Sequence, residues 1–205
     1  MTLAAQPALI ERADVRTIVG GGAVLGILTA VGVTVFSLVS RGIAAGTMET
    51  VVQMLLVLGG GVMFAYFPSA QVQPRRVDSI AWTALLGLLG ALFFTVVDTA
   101  LLRPMNLYHW RWDAVGGGSG WWYIPVWWMG SATLAWLGAW ITSNQAARGE
   151  VAFVVSALQT AVIALLLFAI LVLTRVGPFT AAFMAFAFVL GLVVQVMASA
   201  AMARR

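Results

Sequence analysis

The chain has no cysteine and no lysine, a single histidine, and charge on only 9% of its 205 residues. Without cysteine there is no disulfide, no thiolate nucleophile, no iron–sulfur cluster and no zinc–thiolate site. Without lysine there is no Schiff-base anchor for retinal or pyridoxal phosphate, no lysine nucleophile and no Walker-type phosphate loop. No resident cofactor is expected. A basic stripe is missing as well. All eleven basic residues are arginines and the formal net charge is +4, but the arginines lie in ones and twos between long apolar stretches, unlike a nucleic-acid-binding face. Nucleic acid is therefore not an expected partner.

What is present in excess is apolar surface. Hydrophobic residues make up 62% of the chain, more than a water-soluble domain of this size could bury. They fall into six stretches: Thr17 to Val39, Thr50 to Phe67, Ile80 to Leu102, Trp121 to Thr142, Val151 to Thr174 and Phe179 to Met202. A bilayer core needs roughly 20 mainly apolar residues in a helix, and only the second stretch is marginal. The runs are continuous rather than alternating with period two, which favours helices over a barrel. The expected fold is all-α, a polytopic integral membrane bundle of six transmembrane helices forming one domain over residues 1–205, with membrane lipid around it.

Arginine placement predicts the orientation. Arg12, Arg16, Arg75, Arg76, Arg148, Arg204 and Arg205 fall on one side, and Arg41, Arg103, Arg111 and Arg175 on the other, seven against four. The positive-inside bias then puts both termini in the cytoplasm, in a bacterial inner membrane. The start of the chain lacks the basic cluster and small-residue cleavage site of a secretory signal, and Pro7 to Arg12 fits a short interfacial helix. The expected connections are Ser40 to Met48, Pro68 to Asp78, Arg103 to Gly120, Ser143 to Glu150 and the tight Arg175 to Pro178 turn. None is long enough to separate two domains.

Within the stretches, small residues recur: Gly22, Gly26 and Ala30 at four-residue spacing, Gly59 to Gly61 as a run, and Gly87 with Gly90 and Ala91. In lipid such positions let backbones approach closely, as in a tight bundle or a dimerisation face. Gln53, Gln159, Thr160 and Gln195 are the polar exceptions, suited to interhelical hydrogen bonds or to lining a path. No charged residue falls in the middle of a stretch, so ion coupling through the bundle has no evident carrier. Glu49, at the mouth of the second stretch, complements a helix dipole.

The segment Asp98 to Gly130, DTALLRPMNLYHWRWDAVGGGSGWWYIPVWWMG, holds six of the nine tryptophans and the sole histidine. Asp98 lies near the end of the third stretch, with Arg103 and then Pro104 closing the helix. A carboxylate at the hydrocarbon edge needs a partner, and Arg103 or Arg111 is at hand. From Tyr108 to Asp113 bulky rings alternate with ionisable groups, so an extended backbone would sort Trp110 and Trp112 from His109, Arg111 and Asp113. Two readings stand. One is an aromatic belt at headgroup level, with arginines meeting lipid phosphates. The other is a membrane-surface site where Asp98, His109 and Asp113 handle protons while indole faces hold an apolar or cationic species. One His and two separated carboxylates would complete a metal site only if the loop folded back, so no metal is expected.

Asp98, Pro104, the Trp110-Arg111-Trp112 triplet and the run Trp121 to Pro125 with Gly130 resemble the Asp, Pro, Trp-x-Trp and aromatic-aromatic-x-Val-Pro signature of the bacterial and archaeal carotenoid hydratase family. The resemblance spans about 33 residues. Arg103 stands where that family has an acidic residue, a Trp replaces the Asn expected beyond Pro125, and six stretches appear where more are usual. The resemblance implies a polytopic membrane enzyme that adds water to an isoprenoid double bond. Asp98 or Asp113 would protonate the alkene, and Arg111 or His109 would orient the carboxylate or the water. Trp110, Trp112, Trp121, Trp122, Trp127 and Trp128, with Arg103, would hold the isoprenoid ligand and its carbocation. The alternative is a non-catalytic subunit bound to other membrane subunits, or a small transporter or substrate-capture protein.

Overall fold

The computed structural model describes residues 12–107, 123–149 and 152–203. Among them there are six α-helices and no strand: α1 Val15–Gly42, α2 Thr47–Val72, α3 Val77–Val97, α4 Tyr123–Ala147, α5 Phe153–Leu173 and α6 Ala181–Ala203. α3 runs directly into a π-helical turn, Asp98–Leu102. Five of these helices, α1, α2, α3 with its π-turn, α5 and α6, are long and apolar enough to cross a membrane. α4 has the length, 25 residues, roughly 37 Å of rise. Its four indoles and its Ser131, Thr133 and Thr142 dilute its hydropathy. It is also flanked by α2, α3 and α6, so it needs less lipid-compatible surface than a peripheral helix.

Helix ends follow from local chemistry. Asp14 caps α1, accepting from the Thr17 backbone N–H at 2.9 Å and from its hydroxyl at 2.7 Å. The expected break at Pro68 does not occur, and α2 continues through that proline to Val72. Inside a bundle the helix keeps its course past one missing N–H because neighbouring elements, not water, surround the gap. α2 stops where Gln73 turns left-handed (φ 55°), donating its N–H to the Ser69 carbonyl at 2.8 Å, with Pro74 next.

Close approach of backbones sets the packing. α1 lies parallel to α3: a Cβ on Gly22 would sit 2.7 Å from Leu89 Cβ, and one on Gly26 2.6 Å from Phe93 Cβ, while Gly90 receives Leu25 in return. α4 runs antiparallel to α3, with Gly87 against Ser131 and Ala135. Gly138 sets α4 against the Ala65 carbonyl of α2, and Gly61 and Gly191 let α6 meet α2 and α5. The glycines expected to tighten the bundle do so, except Gly59 and Gly60, whose Cβ positions meet nothing within 4 Å.

Two larger apolar cores result. One joins α2, α4, α5 and α6 around Leu58, Tyr66, Ile141, Phe168, Phe188 and Leu192. The other joins α1, α2 and α3 around Ile18, Leu25, Phe64 and Leu86. A third, smaller cluster, Ala30, Phe94 and Leu102 with Val97 and Trp127, closes the end of the bundle where α1 and α3 finish and α4 begins. The arginines at the opposite end include Arg12, whose N–H donates to the Val72 carbonyl at 3.0 Å.

Candidate functional site

The predicted site residues divide between described and undescribed parts of the chain. Asp98, Arg103, Trp127 and Trp128 are described. His109, Trp110, Arg111, Trp112, Asp113, Trp121 and Trp122 lie outside the described residues, as does most of the expected interfacial helix from Pro7 to Arg12.

Asp98 is completely buried. Its Oδ2 is 3.3 Å from Arg103 Nε, and the Arg103 side chain is about one-third exposed. The π-turn makes this pairing local. In an α-helix residues five apart point roughly 140° away from each other. The i→i−5 bond from the Arg103 N–H to the Asp98 carbonyl, 2.9 Å, widens the turn and brings the two side chains toward the same side. The chain beyond is strapped to α1, with Arg41 donating to the Asn106 carbonyl at 2.6 Å and the Ser37 hydroxyl to the Leu107 carbonyl. Asn106 takes a left-handed conformation (φ 50°) that allows the reversal.

Aromatic rings flank this turn. Trp127 meets Phe64 edge-on with centroids 6.0 Å apart and lies tilted on Phe94 at 5.6 Å. Its indole N–H is buried and has no hydrogen-bond partner among the described residues. Trp128 donates its own N–H to the Thr95 hydroxyl at 3.0 Å. Trp127 is thus directed inward, which an aromatic belt does not require. The carboxylate and guanidinium, one helical turn beyond Phe94, form a polar point at an otherwise apolar end of the bundle, suited to orienting a mainly hydrocarbon molecule. Before Asp98 could hand a proton to such a molecule it would have to leave Arg103. Among the described residues no group of three His, Cys, Asp or Glu side chains is placed to hold a metal.

A second polar feature lies in the other half of the bundle. The Tyr66 hydroxyl meets the Thr160 hydroxyl and donates to Gln195 Oε1 at 3.2 Å. Thr160 also reaches Gln195 Oε1, and Gln195 Nε2 donates to the Ser156 carbonyl at 3.2 Å and to Gln159 Oε1 at 3.3 Å. Toward the arginine-bearing end the chain of bonds continues through Ser156 to Gln145 on α4, and from Asn144 and Arg148 to Ser199 on α6. Gln159, Thr160 and Gln195 therefore glue helices together, as their residue types suggest. Gln53 does so too, donating to Ser40 of α1 at 2.8 Å as well as to Glu49. Sequence reasoning missed Tyr66, Ser156, Asn144 and Ser199, because a single Tyr or Ser in an apolar run carries no sign of its partner.

The chain matches no protein-family model, no curated protein and no solved structure. Membrane-compatible helices are what the structure itself establishes.

Proposed function

We propose that this integral membrane protein handles an apolar, lipid-like molecule at the end of the bundle where α3 meets α4. The observation that carries the reading is Asp98, a fully buried carboxylate in a π-turn, paired with Arg103 one helical turn beyond Phe94, on which Trp127 lies. Buried ionisable groups at a membrane edge are costly, and π-turns concentrate at functional sites. In this reading α4 crosses the bilayer as the sixth span, sheltered by its neighbours, and the arginine-rich end faces the cytoplasm of a bacterial inner membrane.

The chemistry that the resemblance implies is hydration of an isoprenoid double bond. Asp98, released from Arg103 and protonated from water, would give that proton to one alkene carbon. The electron pair of the double bond forms the new C–H bond, and the tertiary cation left on the other carbon faces the Trp127 indole, an interaction of about 2 kcal/mol when desolvated. Water then forms the C–O bond and returns a proton to the carboxylate. His109, Arg111 and Asp113 would assist from the adjoining segment, as would Trp110, Trp112, Trp121 and Trp122. Extraction in mild detergent followed by mass spectrometry of bound lipids and of products from an isoprenoid alkene tests this. Wild type is expected to carry an isoprenoid and to form the alcohol, and Asp98→Asn to lose the alcohol while keeping the bound lipid. Undiminished product with Asp98→Asn refutes the acid role.

One observation favours a second reading, a non-catalytic subunit or passive carrier. The polar chain through Tyr66, Thr160 and Gln195 is satisfied internally and holds no carboxylate or guanidinium at mid-bundle. Stoichiometric partner chains in the same extraction would support it.

A further inference from the structure

We propose that the groove between the start of α1 and the end of α2 is a binding site for the headgroup of an anionic phospholipid. The groove has a volume of about 330 Å³ and is open to the side, lined by Arg12, Arg16, Thr17, Gly20, Val24 and Phe67, with Gly21 and Gln71 completing it. That volume falls at the small end of ligand sites, roughly 300–1,000 Å³, and suits a phosphate, its glycerol and the first part of an acyl chain.

Its lining changes character along its length. At the helix start stand two exposed guanidiniums, Arg12 and Arg16, neither of them ion-paired among the described residues. Deeper along α1 the wall is Gly20 and Val24, with Phe67 across from them on α2. A headgroup phosphate at the arginines and hydrocarbon along Gly20, Val24 and Phe67 would match both ends, which a free anion or an uncharged lipid would not. The nearby acid, Asp14, keeps its charge but turns its oxygens to the Thr17 N–H and hydroxyl, and among the described residues the two guanidiniums outnumber it and are not paired with it. Gly20 makes the room: a Cβ there meets nothing within 4 Å, whereas its neighbours Gly21 and Gly22 are filled by Leu86 and Leu89 of α3. So one face of the same glycine run packs a helix, and the other leaves a channel.

This inference is independent of any reaction at the other end of the bundle. The test uses the purified full chain in mild detergent, titrated with dioleoylphosphatidylglycerol, with dioleoylphosphatidylcholine and with inorganic phosphate, and read by native mass spectrometry. Wild type is expected to retain one phosphatidylglycerol in preference to phosphatidylcholine. Replacing both arginines (Arg12→Gln with Arg16→Gln) should weaken that binding by roughly 30-fold, about fivefold for each charge near the surface. Gly20→Leu should abolish it by filling the channel. Gly32→Leu, at another position on α1 where a Cβ meets nothing within 4 Å, should bind like wild type. Equal retention of the two lipids by wild type overturns the proposal, as does undiminished binding in Gly20→Leu. Displacement of the lipid by inorganic phosphate alone also overturns it, since that would mark a simple anion site. If the arginine variant loses its helical circular dichroism, wild-type lipid preference and Gly20→Leu still decide.

Discussion

Alanine at Gly26 probes the contact that holds α1 to α3. A Cβ at this position would lie 2.6 Å from Phe93 Cβ and 2.9 Å from both the Gly90 carbonyl oxygen and the Phe94 nitrogen. Two of these are backbone atoms, so no rotamer change relieves them and the helices must separate. Gly32 on the same helix is exposed, and its Cβ would meet nothing within 4 Å. Alanine at either position gains the same helix propensity, up to about 1 kcal/mol, and that gain cancels when the two variants are compared. What remains is overpacking at Gly26, typically 1–3 kcal/mol. The loosened seam would also cost part of the Leu25 contact with Gly90. Gly26→Ala is therefore expected to be about 1–3 kcal/mol less stable than Gly32→Ala. Equilibrium unfolding in mixed micelles, followed by circular dichroism against detergent mole fraction, measures this difference. Coincident midpoints for the two variants would refute the parallel, glycine-faced seam between α1 and α3.

Two further outcomes follow from the hydrogen bonds. Gln195→Leu removes the acceptor for Tyr66 and Thr160 and the donor to Gln159 and Ser156, and should cost roughly 1–2 kcal/mol, since interhelical bonds in membranes average about 0.6 kcal/mol each. The same micelle assay checks it, and a cost near zero would show that the polar chain is slack. Asp14 gives a pH signature. The hydroxyl of Thr17, then its backbone N–H, hold the Asp14 carboxyl below its ordinary value of 3.8. A group whose folded pKa is depressed adds stability above its unfolded value and loses it as pH falls through the folded one. The wild-type melting temperature should therefore fall on acidification below pH 3.8 more steeply than that of Asp14→Asn, and parallel acid profiles would show that the cap is not formed.

Much of the architecture was legible without coordinates. Runs of apolar residues too long and too uncharged for water announced membrane-compatible helices, and five meet that description in the structure. Gly22, Gly26, Gly87 and Gly90 could be read as contact points because only a missing Cβ lets backbones approach so closely. Their pairing could not, since spacing says which face is small and not which helix lies upon it. Pro68 misled for a related reason: its cost as a helix breaker is judged against water, and here α2 passes through it among packed neighbours. In the candidate site, Arg103 could be named as a partner for Asp98 beside Arg111, which lies outside the described residues, but the π-turn that brings Arg103 within reach leaves no trace in composition.

The amino-acid sequence alone determined the solvent of this protein, since transfer of side chains between water and hydrocarbon is a sum over residues and needs no geometry. It also determined the absence of thiol and amine chemistry, and the gathering of indoles around the third and fourth stretches. Tertiary structure alone decided that Asp98 meets Arg103, that Trp127 turns inward onto Phe64 and Phe94, that Tyr66, Thr160 and Gln195 share one set of hydrogen bonds, and that Gly20 opens a channel beside two arginines. Each of these depends on which residues, distant along the chain or out of phase on a helix, come within a few ångströms of one another. Contact energies fall off over that distance, so helix pairing and a single widened turn settle what residue types leave open.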